Sequence, residues 1–144
     1  MASNEYCTFQ LGDLTFGVEV QRVQEVIRPQ PLTGVPQTHE VVEGLMNLRG
    51  QIVTAIDLRR RFELPPRPAD QPAMNVVVRT GEGEISLLVD RIGDVVQVDE
   101  SAFEPPPDTL DGVARELLIG AYKLEGRLLL IVDVDEAVRL PTPA

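Results

Sequence analysis

The chain has 144 residues, enough for one compact unit or two very small ones. Hydrophobic residues make up 43%, but with no Trp, two Tyr and four Phe the core must be largely aliphatic. Twenty-three acidic against 13 basic residues give a net charge of -10, a field that repels phosphate backbones and anionic lipid, so nucleic acid and membrane insertion are excluded as first readings.

In chain order, the N-terminus has no charged-then-apolar export pattern, and no apolar run approaches the length of a membrane span. Cys7 is the sole cysteine, so no intrachain disulfide forms and a reducing, cytoplasmic location is expected. Cys7, Phe9 and Leu11 alternate with Tyr6, Thr8 and Gln10, which predicts a half-buried strand with Cys7 as a small buried hydrophobe. After a turn at Gly12-Asp13, Phe16, Val18 and Val20 repeat that period. Val23, Val26 and Ile27 have helical spacing, which predicts one or two turns of helix stopped by Pro29. Residues 41–48 and 51–56 predict a hairpin whose turn is Arg49-Gly50. The stretch LPPRPADQP, 64–72, predicts a semi-rigid linker, and FEPPPD, 103–108, a loop. A second hairpin turn is expected at Glu125-Gly126.

The two halves lie over each other. At an offset of 69, Gly12 meets Gly81, Val20 meets Val89, Arg22 meets Arg91 and Val26 meets Val95. At an offset of 76, Gly44 meets Gly120, Leu48 meets Leu124, Gly50 meets Gly126 and Asp57 meets Asp133. The offset grows within the Pro105–Pro107 connection, where added length costs little. Each repeat offers about four or five short strands and a little helix; closing such strands into small barrels removes their exposed edges. Barrels of roughly 70 residues are marginal alone, so the two should pack together, with one apolar region in each and a third between them.

Catalytic groups are scarce. His39 sits between Thr38 and Glu40 in a polar loop and reads as a surface histidine rather than a base. One Cys and one His exclude the usual zinc clusters, and there is no P-loop or dinucleotide fingerprint, so no cofactor or metal is expected. Asp57 and Asp133 each end an apolar strand before helix-compatible residues, and an N-cap explains them better than an acid–base pair.

Positions that differ between the repeats are the better candidates for function. The first hairpin turn reads Asn47-Leu48-Arg49-Gly50 and the second Lys123-Leu124-Glu125-Gly126, so the charge beside the glycine reverses. Arginine anchors protein interfaces more often than most residues, which favours an interaction role for Arg49. Arg59, Arg60 and Arg61 face Asp135, Glu136 and Ala137, and are read as a solvated helix face.

Four segments in this order, RVQEVIRP (22–29), GLMNLRGQIV (44–53), IDLRRRF (56–62) and LLVDRIGDVV (87–96), closely resemble the CheW-like coupling proteins over nearly the whole chain. The resemblance implies a single domain over 1–144, mainly β: two intertwined SH3-like five-stranded β-barrels from an internal duplication, with short helices. The approximate repeats are 6–62 for the first barrel and 75–138 for the second, their boundaries exchanged by a strand. It implies a non-catalytic adaptor that joins the regulatory domain of a CheA-type histidine kinase to the cytoplasmic tip of a chemoreceptor, whose helix lies in an apolar groove between the barrels. Arg49, Val23, Glu25 and Ile92 match receptor-binding positions, and Leu32, Val35, Val42 and Gly44 match the barrel end that meets the kinase. The chain departs from the family pattern at Thr54-Ala55, where many members have a proline before Ile-Asp. An array filler or insulator that binds the kinase without a receptor is the alternative.

Overall fold

The computed structural model describes residues 3–35, 39–81, 83–107 and 112–140. Among the described residues ten strands form: β1 Ser3–Leu11, β2 Leu14–Glu19, β3 Val23–Ile27, β4 Val42–Leu48, β5 Gln51–Asp57, β6 Met74–Thr80, β7 Gly83–Val89, β8 Arg91–Asp99, β9 Leu118–Leu124 and β10 Arg127–Val132. Three short helices accompany them, α1 Leu58–Arg61, α2 Gly112–Glu116 and α3 Val134–Val138. The strands make two five-stranded sheets, ordered β3-β6-β7-β5-β4 and β8-β1-β2-β10-β9. Each curls into a small SH3-like barrel. The first is called the central barrel here, because its strands are continuous in sequence, and the second the terminal barrel.

Substituting each strand by its repeat equivalent turns one sheet order into the other, so the duplication is structural. The sheets nevertheless cut across the repeats. A whole hairpin is exchanged, not one strand: β1–β2 of the first repeat lies between β8 and β10, and β6–β7 of the second lies between β3 and β5. Both insertions are closed by a parallel pairing, β2 with β10 and β7 with β5.

The exchange explains the core. A shared cluster draws Phe9, Phe16 and Leu130 from the terminal barrel and Ile56, Val76 and Leu87 from the central one. Tyr6, Tyr122 and Leu129 belong to a second cluster inside the terminal barrel, and Met46, Val53 and Val77 to a third inside the central barrel. Inserted strands are therefore covered on both faces. This corrects the one-sided pattern expected for β1, where Tyr6 and Thr8 are buried while Cys7 is only half-buried. Partial burial pushes the Cys7 thiol pKa up.

The helix expected from Val23 to Ile27 is strand β3, which pairs with β6 from Val23–Val78 to Ile27–Asn75. A single 3-10 turn at Val20–Arg22 precedes it. The β-branched residues find cross-strand partners that their helical spacing does not announce.

Turns and caps follow sequence chemistry. Arg49 and Gly50 both have positive φ, 53° and 87°, as a two-residue hairpin of this kind requires. Asp57 caps α1 by accepting from the Arg59 N–H at 3.0 Å, and Asp133 caps α3 by accepting from Glu136 at 3.2 Å. Gly44 and Gly120 stand at equivalent close approaches. A Cβ on Gly44 would lie 2.7 Å from the Thr33 carbonyl, and one on Gly120 would lie 2.5 Å from that of Glu104. Beside each glycine an isolated bridge forms, Thr33–Leu45 in one barrel and Glu104–Ala121 in the other. The 103–108 loop is thereby tied to β9, with Asp108 outside the described residues.

The chain passes between barrels only twice, at 20–22 and at Asp90. At the second crossing Asp90 is 6% exposed. It accepts from the Gly12 N–H at 2.7 Å, from Arg59 Nε at 2.9 Å and from Arg67 Nε at 2.8 Å. Burial works against the charge, but Arg59, the Gly12 amide and Arg67 outweigh it and lower the Asp90 pKa from 3.8 to about 2.

The arginine run is thus not a solvated face. Arg59 is bound to Asp90 and to the Pro65 carbonyl, and Arg60 donates to the Glu40 carbonyl. Arg61 reaches across the barrels to the carbonyls of Glu136, Ala137 and Arg139 at the end of α3. Its burial lowers the guanidinium pKa. The 64–72 linker is likewise anchored, through Arg67 and the carbonyls of Pro65 and Pro66.

Two stability measurements test this frame. Gly120→Ala should cost about 1–3 kcal/mol in urea unfolding by overpacking, against less than about 0.5 for Gly34→Ala, which has open space. Because the folded-state pKa of Asp90 is depressed, its contribution is complete above about pH 4 and is lost as the pH falls toward 2. Asp90→Asn should cost about 3 kcal/mol near neutral pH and flatten that acid dependence, as read from unfolding curves at several pH values.

Candidate functional site

Arg49 is held where the sequence places it, at the tip of the β4–β5 hairpin. Its backbone is left-handed, Asn47 Oδ1 accepts from the Gly50 N–H at 2.9 Å, and its side chain is 66% exposed. The guanidinium Nη2 pairs with Glu25 on β3. Hydrogen bonding to Glu25, the largest cause, raises the Arg49 pKa, and Glu84 adds a weaker electrostatic pull. The pair links strands from the two ends of the central sheet, β3 and β4, and so spans the seam where that sheet closes.

The terminal barrel has no such pair. The positions equivalent to Glu25 and Arg49 are Asp94 and Glu125, two acids. The structure therefore brings Arg49 and Glu25 together as a feature of one barrel only.

Val23 and Ile92 are repeat equivalents on β3 and β8. Each is half-buried at the margin of the shared core, Val23 paired with Val78 and Ile92 with Phe9. They sit on different barrels, one immediately after each crossing of the chain.

Leu32, Val35, Val42 and Gly44 lie in and beside the 28–41 connection. Leu32 packs on the inner cluster of the central barrel, and a Cβ on Gly44 would lie 3.2 Å from the Leu32 Cβ. Val42 opens β4 opposite Ile56 and Val35 is half-buried beyond the Thr33 bridge. Close approach to Thr33 by itself accounts for the glycine at 44.

One exposed residue near Arg49 did not stand out in the sequence. Ile52 is 65% exposed, more than any other large hydrophobic side chain among the described residues. In the sequence it is one of several apolar residues in β5, whose two faces both carry such residues, so alternation gives no sign that this one meets water.

His39 accepts through Nδ1 from the Val41 N–H at 3.2 Å, a local turn contact. Among the described residues no group of three or more His, Cys, Asp or Glu is arranged to hold a metal ion. Among the described residues no helix is long and apolar enough to cross a membrane.

The CheW-like domain family model matches residues 5–141. The chemotaxis protein CheW of Klebsiella aerogenes is 30% identical over 132 residues, which cover 92% of this chain and 80% of that protein. The chemotaxis protein CheW of Treponema pallidum is 27% identical over 133 residues, covering 90% of this chain and 78% of that one. The crystal structure of the scaffolding protein TtCheW from Thermoanaerobacter tengcongensis superposes with a TM-score of 0.87 at 26% identity, over 99% of this chain and 92% of that chain.

The Glu25–Arg49 pair is exposed enough to be a weak contributor to stability. Arg49→Asn, which tolerates left-handed backbone, should therefore leave the Tm within a few degrees of the parent. A larger drop in a thermal melt would make the pair a structural clasp.

Proposed function

Because the chain belongs to the CheW-like family, we propose that it couples the regulatory domain of a CheA-type histidine kinase to the cytoplasmic tip of a chemoreceptor-type partner. This is a scaffold family, and the chain is a scaffold rather than an enzyme. The observation that carries the finer reading is the asymmetry of the duplicated fold. A scaffold that needed only to fold would have no reason to keep an exposed arginine on a left-handed turn in one barrel and a glutamate in the other. Arginine is costly there for the backbone, so an interaction is the better account of it.

In this reading the receptor helix lies along the margin of the shared core, against Val23 and Ile92, with Arg49 and Glu25 fixing its register. Such a helix-in-groove contact takes affinity from apolar side chains and register from charge. The kinase domain packs at the barrel end formed by Leu32, Val35, Val42 and Gly44. In this reading the receptor surface spans both barrels, through Val23 and Ile92, and the kinase surface lies on the central barrel, which lets one small protein hold both partners. The protein is then cytoplasmic and reaches membrane receptor arrays through its partners, with no cofactor and no chemistry of its own.

Calorimetric titration with the kinase regulatory domain and then with a receptor-tip fragment tests this. Both should bind, and Arg49→Glu should weaken the receptor step at least tenfold while leaving the kinase step unchanged. Binding to the kinase alone would make the chain an array filler, and binding to neither would overturn the coupling role.

A further inference from the structure

The terminal barrel holds a hairpin that the chain delivers from far away. Strands β1 and β2 fill the slot between β8 and β10, yet the whole central barrel separates Glu19 from Arg91 in the chain. Every other described strand follows the hairpin in sequence, so a single connection, 20–22, joins it to the rest of the fold. The slot holds the hairpin by surface alone. β1 pairs with β8 from Ser3–Asp99 to Gln10–Arg91, and β2 pairs with β10 from Thr15–Leu129 to Gly17–Ile131. Phe9, Leu11, Phe16 and Val18 are each at most 1% exposed. None of these contacts requires hairpin and slot to belong to one molecule.

The two crossings differ in how firmly they are fixed. At an offset of 69, Gln21 is the repeat equivalent of Asp90. Asp90 is buried and binds three other segments, whereas Gln21 is exposed. The first crossing is one 3-10 turn with no buried residue, set between extended backbone at Glu19 (ψ 132°) and Val23 (ψ 120°). Its fastenings lie at the surface. Arg22 pairs with Asp135 and donates to the Arg79 carbonyl at 3.0 Å, and Arg79 donates to the Gln21 carbonyl at 3.0 Å. Straightening the turn would make 14–27 one continuous strand and carry the hairpin away from its own slot.

We propose that this chain exchanges its β1–β2 hairpin with a second copy of itself, giving a two-fold dimer hinged at 20–22. Each hairpin then fills the other copy's slot with the contacts it makes in the monomer. Little separates the two forms besides the hinge and the entropy of association. All four barrels are complete in the dimer, and every surface of the monomer occurs twice, Arg49 included. The exchange thus makes a bivalent form of the same chain. The other hairpin, β6–β7, is tied at both ends, through Arg67 of the 64–72 linker and through Asp90, and stays in place.

The test refolds the full chain from denaturant at micromolar and at millimolar concentration, and reads its mass by gel filtration with light scattering. Cys7 of the hairpin and Val95 of the slot are cross-strand partners, and Val95 is exposed, so Val95→Cys leaves the core intact. Opposed residues of an antiparallel pair are about 4.5–5.5 Å apart at Cα, within reach of a disulfide. Oxidised after refolding, this variant forms its bridge within one chain in the monomer and between chains in the exchanged dimer. A non-reducing denaturing gel separates the two. The millimolar sample should contain a dimer that stays linked on that gel, while the parent, with Cys7 alone, runs as monomer. Arg22→Ala, which loosens the turn without touching the hairpin, should raise the dimer fraction at least threefold. Removal of Gln21, which leaves too few residues for the turn, should make the dimer the main species. Dimers whose bridges are all intrachain would be copies touching through their surfaces, and would overturn the exchange. Monomer alone at both concentrations, in the parent and in Arg22→Ala, would overturn it too.

Discussion

The Asp90 carboxylate fastens the two barrels at a point where the chain has no redundancy. Only two connections pass from one sheet to the other, and Asp90 is one of them. Its donors draw in the β1–β2 turn through Gly12, helix α1 through Arg59 and the inter-repeat linker through Arg67. A buried carboxylate is tolerable only when so fully paired, and the pairing fixes four segments at once. The other crossing is held by the reverse arrangement. There the junction supplies the cation, Arg22, and helix α3 supplies the acid, Asp135, at 2.7 Å. Asp135 is the repeat equivalent of Arg59, so the same helix position serves both crossings with opposite charge. The side chains of this second pair are 27% and 56% exposed, against 11% and 4% for Arg59 and Asp90. The fold is therefore anchored on one side by a dry node and on the other by a pair that water screens.

That geometry decides what could be seen in the sequence. The duplication, the hairpin turns at Gly50 and Gly126, the two aspartate caps and the three apolar regions are local or periodic features, and each is legible from residue type and spacing. The exchange of whole hairpins is not. A one-strand and a two-strand exchange place the same apolar residues in the same repeats, and only the pairing of β2 with β10 and β7 with β5 tells them apart. The strand at 23–27 was obscured for a similar reason. Its valines fit a helical face, and the partner strand that settles the matter lies about 50 residues away, as the Val23–Val78 pairing shows.

The arginines show the limit most clearly. In the sequence, Arg59 to Arg61 are three charges in a row, and a solvated face is the simplest account. Arg59 finds its acid 31 positions on, and Arg61 finds its carbonyls 75 to 78 positions on. Nothing in a short window separates an arginine that staples two barrels from one that merely faces water. The contrast at Arg49 was legible because it is comparative. The scaffold itself supplies a second copy of the turn, and the second copy has glutamate.

Duplicated folds thus carry an internal control. What both repeats keep answers to geometry: Gly44 and Gly120 admit a crossing backbone, and Gly50 and Gly126 take positive φ. Charges divide into two kinds. Arg59 and Asp135 are reversed between repeats, yet each is bound to a crossing, so their difference belongs to the fold. Arg49 and Glu125 are also reversed, but the first holds only the neighbouring Glu25 and remains two-thirds exposed. No crossing depends on it. Asymmetry between repeats therefore does not by itself mark a functional residue. The asymmetry left over once the structural uses of charge have been assigned lies at the tip of the β4–β5 hairpin, at Arg49.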